Sequence, residues 1–186
     1  MLLEGSTSTT APEEHLNEIY ITVLKNSIYP DYTEQEEEQL YSMLRYVLGS
    51  IVVLFSALST GSLSGLLHVT KQGVNLTLKD LHAILNIPKD QMRPLCLHHP
   101  SSRDFLLNKD RCGDSNFWVD EKQAHRTLAD NCIRLMSTSL KQDICHLGAP
   151  GVFVTDVGRG QVEQYITREV QYASLSVPAG ASASLD

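Results

Sequence analysis

Apolar positions recur along most of the chain at intervals of three and four, the spacing of helices with one buried face. In PEEHLNEIYITVLKNSI, which starts at Pro12, the residues Leu16, Ile19, Tyr20, Val23 and Leu24 share one side. Pro12, Glu13 and Glu14 suit a helix N-terminus, where a missing N–H costs nothing and negative charge meets the positive end of the dipole. YPDY (29–32) reads as a turn. The next helix has the clearest start: Thr33 and Glu36 stand at capping-box spacing, with Glu34, Glu37 and Glu38 beside them. Its stripe is Leu40, Leu44, Val47, Leu48, Ile51, Val52 and Phe55. From Val47 onward it is apolar nearly all round, which predicts the centre of the core. Gly49 marks either close helix packing or a bend.

After SALSTGS, a short helix is expected over 62–67. Another is expected from Gln72 to Leu85, where Val74, Leu78, Leu81 and Leu85 repeat. NIPKDQMRP is a loop, Leu95 to Leu97 a short strand, and Ser101 to Leu107 a short helix. Strand alternation puts Leu95 and Leu97 toward the core, Cys96 and His98 away from it, and His99 on the turn. Three helices followed by a strand-bearing wing near 86–99 is the order of a winged-helix domain. NKDRCGDSNFWVD (108–120) is a polar connector. Asp120 and Gln123 mark another helix start, carried by Ala124, Leu128, Cys132, Leu135, Met136 and Leu140 to about Lys141. HLGAPG breaks it, and helical character returns over 162–166 and 168–175. The expected fold is mainly α: a disordered N-terminus (1–11), a helical lead-in and winged-helix-like domain with a short β wing (12–108), a helical extension (109–175) and a disordered tail (176–186).

Composition narrows the function. The 186 residues suffice for one domain, or a small domain with an appended piece. With 42% apolar and 20% charged residues, the chain has the make-up of a soluble globular protein. A net charge of −7 and a pI near 5.4 argue against nucleic acid or an anionic membrane as the main partner. The longest apolar stretch, VLGSIVVLFSAL (47–58), is short of the roughly 20 residues a membrane span needs. MLLEGSTSTTAPEE lacks the basic and apolar regions of a signal peptide, so a cytoplasmic chain with reduced thiols is expected. Cys96, Cys112, Cys132 and Cys145 form no closely spaced pair, and no metal is expected.

Strings that carry catalysis are missing. A phosphate-cradling loop ends in Gly-Lys-Ser/Thr, whereas GSLSG (61–65) has no lysine and no strand feeding it. GxSxG, HExxH and GxGxxG do not occur, so no catalytic residue is expected. What remains is LCLHHPSSRDFLLNKDRC (95–112), an apolar strand that ends in two histidines and a proline. Two readings of His98 and His99 stand open. The imidazoles either bond local backbone, with Pro100 starting the next helix, or one of them donates to an anion lying against the wing. Arg103 and Asp104 are expected to form a local ion pair of little energetic weight.

YSMLRYVLGSIVVLFSALS (41–59), LHHPSSRDFLLNKDRCGDSNFWVDEKQAH (97–125) and LADNCIRLMSTSLKQDIC (128–145) resemble fungal NACHT-domain proteins of the STAND class, NOD-like receptors of the heterokaryon-incompatibility type. The resemblance runs from about residue 12 to 175. It implies a NACHT-associated signal-transduction module: the winged helix and the start of the helical linker that follow the nucleotide-binding core. It also implies that His99, or else His98, contacts the β-phosphate of ADP in the closed state. The chain would bind no cofactor alone, and ADP or ATP only together with a NACHT domain, in cis or in trans, with repeat domains of the parent as further partners. Two departures stand out. Ser102 occupies the place of a phenylalanine in the family's HPSFRDFL, and SLSVPAGASASLD replaces an aromatic helix. With the missing phosphate loop, these suggest a truncated fragment, whose second helix would lie exposed if a partner domain normally covers it. A third reading is a DNA-binding winged helix with 72–85 as its recognition helix. That helix offers only Gln72, Asn75 and Lys79, with Lys71 before it and Asp80 against it.

Overall fold

The computed structural model of the chain describes residues 10–28, 32–148 and 159–176. Residues 29–31 of the expected turn and most of both expected disordered ends lie outside these residues. Helix α1 (Thr10–Asn26) begins two residues before Pro12, so Thr10 and Ala11 are helical. The proline is tolerated there because N–H groups of a first turn have no intrahelical partner. Of the α1 stripe only Tyr20 and Leu24 are buried, while Leu16 and Ile19 are exposed. The helix lies at the periphery, against α5 (Pro100–Leu107) and α6 (Lys109–Cys112).

Helix α2 (Glu34–Val53) starts as its spacing predicts. The Thr33 N–H donates to Glu36 Oε2 at 2.9 Å, and Glu36 N–H to Thr33 Oγ1 at 3.4 Å. Leu44 and every residue from Val47 to Val53 are buried. A Cβ on Gly49 would stand 3.1 Å from Val119 Cγ1 and 3.8 Å from Ala124 Cβ, so close packing is the reason for that glycine. Phe55 lies past the helix end, not on its buried stripe. It is 58% exposed and stacks on Tyr172 at 4.3 Å.

Helices α3 (Thr60–Leu67) and α4 (Lys71–Leu78) are capped by Ser59 and Thr70. The helix expected to reach Leu85 stops at Leu78. Turns with bonds from Leu81 N to Leu78 O (3.0 Å) and from Ile84 N to Leu81 O (2.9 Å) keep the three-residue apolar spacing without a helix. The chain then enters β1 (Leu85–Asn86), antiparallel to β2 (Cys96–Leu97), with Leu85 opposite Leu97 and Asn86 opposite Cys96. Ser59 bridges Pro94, and Leu95 N–H donates to Leu58 O at 2.8 Å, which adds an isolated bridge just before β2.

Helix α5 (Pro100–Leu107) follows, and the connector after it contains a further turn, α6 (Lys109–Cys112), started by Asn108. Helix α7 (Glu121–Ser139) begins at the Asp120 cap. Helices α8 (Arg159–Tyr165) and α9 (Arg168–Ser176) complete the described chain. The last takes in Ser176, which was expected in the tail. The molecule is mainly helical with a small sheet. One apolar cluster includes Val47, Leu63 and Phe105 together with Leu128, Cys132 and Tyr172. It runs across the domain boundary expected at 108/109. Helices α7 and α4 cover α2, so the chain itself buries the apolar half expected to lie exposed in a fragment. Among the described residues no helix is long and apolar enough to cross a membrane.

Candidate functional site

The strand-to-helix corner is built by Pro100, which fixes the first turn of α5, and His99, which caps it. Leu95 is buried, Cys96 exposed, Leu97 half-buried and His98 exposed, the alternation read from the sequence. His98 is tied to the sheet: its N–H donates to Ile84 O at 2.9 Å and its Nε2 lies 3.0 Å from His82 O. A carbonyl only accepts, so Nε2 of His98 carries the proton and spends it there.

His99 is held differently. The Ser101 backbone N–H donates to His99 Nδ1 at 3.1 Å, and Ser101 Oγ lies 2.7 Å from the same nitrogen. An amide N–H only donates, so Nδ1 accepts and the proton of the neutral ring sits on Nε2. The imidazole is exposed, and no bond within the described chain uses Nε2. The Tyr20 hydroxyl lies 2.7 Å from Ser101 Oγ and ties α1 to the corner. Local bonds hold both rings, as the first reading expects, and among the described residues no bond uses Nε2 of His99.

Ser102 is 1% exposed, and its hydroxyl donates to His99 O at 2.6 Å. The side chain thus becomes part of the cap. The expected Arg103–Asp104 pair does not form. Consecutive helix residues do not face each other. Arg103 instead donates from Nε to Val52 O at 2.8 Å and from Nη2 to Glu121 Oε1 at 3.0 Å. It satisfies a carbonyl at the C-terminus of α2, where positive charge is favoured, and joins α5 to α2 and α7. The half-exposed Arg103–Glu121 pair adds at most about 1 kcal/mol. These ties were invisible in the sequence, since Val52 is 51 positions from Arg103 and Tyr20 is 81 from Ser101.

A recess of about 200 Å³ beneath the corner is lined by Val52, Leu95, Leu97 and Arg103. It is too apolar to cradle a phosphate, so an anion at His99 would have to be held mainly by other groups. Burial raises the thiols of Cys112 and Cys132 above their ordinary value, which keeps them protonated. Among the described residues no group of three or more His, Cys, Asp or Glu is placed to hold a metal. The helix read as a DNA-recognition element is shorter than expected, and its Lys79 lies 3.8 Å from Asp80. Comparison with family models, characterised proteins and solved structures yields no match. The class these observations define is a mainly helical domain with a small sheet and a histidine-capped corner.

Proposed function

We propose that the chain is a non-catalytic regulatory module of a NACHT/STAND-type signalling switch in the cytoplasm. In this reading the 34–97 segment is a winged-helix unit. Support comes from its order: α2, an isolated bridge from Ser59 to Pro94, α3, α4, then the antiparallel pair β1 and β2. The single observation that carries the function is the exposed His99 ring, held at Nδ1 so that its Nε2–H is unused among the described residues. That donor meets a phosphate oxygen of ADP held by a NACHT domain in cis or in trans. A hydrogen bond to a charged group contributes about 1.5–3 kcal/mol, enough to change a closed/open ratio roughly tenfold or more. The lack of a phosphate-binding loop in this chain is consistent with the nucleotide being supplied from outside.

The experiment is titration of ADP into the chain alone, into an intact NACHT domain alone, and into the two combined. The proposal expects no binding to the chain alone and tighter binding to the pair than to the NACHT domain. Equal affinity with and without the chain would overturn it.

A further inference from the structure

Away from the corner, α2, α7 and the segment before α7 enclose a cleft of about 330 Å³. That is near the lower end of the roughly 300–1,000 Å³ found for small-molecule sites. Tyr46 and Trp118 contribute aromatic rings to the lining, and Gly49 and Ala124, which also line it, stand where α2 packs closely on the Val119–Ala124 segment. Arg45 and Asp120 also line it.

Four of the lining groups are held in place by bonds, two of them to other residues of the lining, Ser115 and Gln123. Arg45 Nη1 donates to Ser115 O and Asn116 O at 3.2 and 3.3 Å. The Tyr46 hydroxyl donates to Leu67 O and accepts from Asn131 Nδ2, both at 2.9 Å. Trp118 Nε1 donates to Leu107 O at 3.2 Å. Asp120 Oδ1 accepts the Gln123 N–H at 3.0 Å as the cap of α7. Such a cleft needs little ordering before it binds. Two capacities remain unspent among the described residues: the Nε–H and Nη2–H donors of Arg45, and the Oδ2 acceptor of Asp120.

We propose that this cleft binds a small, neutral, amino-substituted heteroaromatic molecule. A flat ring matches the two aromatic rings of the lining. A ring nitrogen accepts from Arg45, and an exocyclic amino group donates to Asp120. Arg45 and Asp120 carry opposite charges, so the rim as a whole favours neither an anion nor a cation and suits a neutral molecule that both donates and accepts. The volume suits one fused ring system and excludes an extended peptide. This site is independent of the nucleotide reading of His99.

The test is proton–nitrogen correlation NMR on the full chain. Trp118 is its single tryptophan, so one indole N–H signal reports on the cleft. The probes are 2-aminoquinoxaline and quinoxaline. The first is expected to move the Trp118 signal saturably, and the second, without the amino donor, to bind at least about fivefold more weakly. Asp120→Asn keeps a capping oxygen but replaces Oδ2 by a donor, and should weaken 2-aminoquinoxaline about tenfold. Arg45→Gln, at no helix cap, should also weaken it and covers the case in which the first variant disturbs α7. A Trp118 signal unmoved by 2-aminoquinoxaline, equal binding of both probes, or a shift that well-folded rim variants leave unchanged would each overturn the proposal.

Discussion

Nδ1 of His99 accepts the Ser101 N–H, so the remaining nitrogen of the neutral ring is a donor unused among the described residues, whereas the Nε2–H of His98 is spent on His82 O. Short-range bonds of this kind set the chemistry of single residues throughout the chain. Thr33 donates to Glu36 through its backbone N–H and, second, its hydroxyl, and holds the Glu36 carboxyl below its ordinary value of 4.5. A depressed carboxylate stabilises the fold above its unfolded-state pKa, and that contribution is lost as pH falls through the folded value. Acidification below about 4.5 should therefore weaken the start of α2. Thr33→Ala removes the hydroxyl and keeps the backbone N–H, so it should raise the Glu36 carboxyl only part of the way by carboxyl NMR, and loss of the cap should lower stability by about 1 kcal/mol in urea unfolding. The four thiols divide in the same local way. Cys96 is exposed, whereas Cys112, Cys132 and Cys145 are buried. Iodoacetamide should label Cys96 rapidly and the others only on unfolding, as peptide mass spectrometry would show. Bonds that span two or three residues, such as Thr33–Glu36 and Asp120–Gln123, could be read from the sequence because a cap and its target are near neighbours. Arg103 was misread for the opposite reason: its partners, Val52 and Glu121, meet it only in the folded chain.

At the scale of elements, the contact between α2 and the Val119–Ala124 segment depends on a missing side chain. Gly49→Ala gains helix propensity of about 1 kcal/mol but brings a Cβ to 3.1 Å from Val119, so its net effect should be small. Gly49→Val adds two methyl groups to the same place and should cost about 1–3 kcal/mol, read as a lower urea midpoint at unchanged slope. The period of apolar residues located α2, the start of α4 and α7, because leucine and valine recur on the buried side of each. It failed from Leu81 to Leu85, where consecutive turns place leucine and isoleucine in the core at helical spacing. Hydrophobic spacing reports which residues are buried, and only the backbone bonds tell a helix from a series of turns. The β2 alternation was readable over three residues, but the bridge at Ser59 was not, since one bridge leaves no periodic trace.

For the molecule as a whole, the single core decides how the parts behave. Leu128, Cys132, Val170 and Tyr172 from the C-terminal half share a cluster with Leu44, Leu48 and Leu63 from the N-terminal half. Helicity at 222 nm and Trp118 fluorescence should therefore report one coincident thermal transition. Two separated transitions would instead support the boundary expected at 108/109. That boundary was drawn at a polar connector, a fair sign of a surface segment but no sign of what packs on either side of it. The corner itself was readable as unusual, and its donor geometry was not. The central claim is that His99 donates to a phosphate held by another domain. Its most direct measurement is ADP retention by the chain complexed with an intact NACHT domain, comparing His99→Asn with His98→Asn. Asparagine preserves a cap at position 99 and removes the Nε2–H. The account predicts that His99→Asn speeds ADP loss roughly tenfold while His98→Asn changes it little. Equal retention by both variants and the unaltered complex would contradict it.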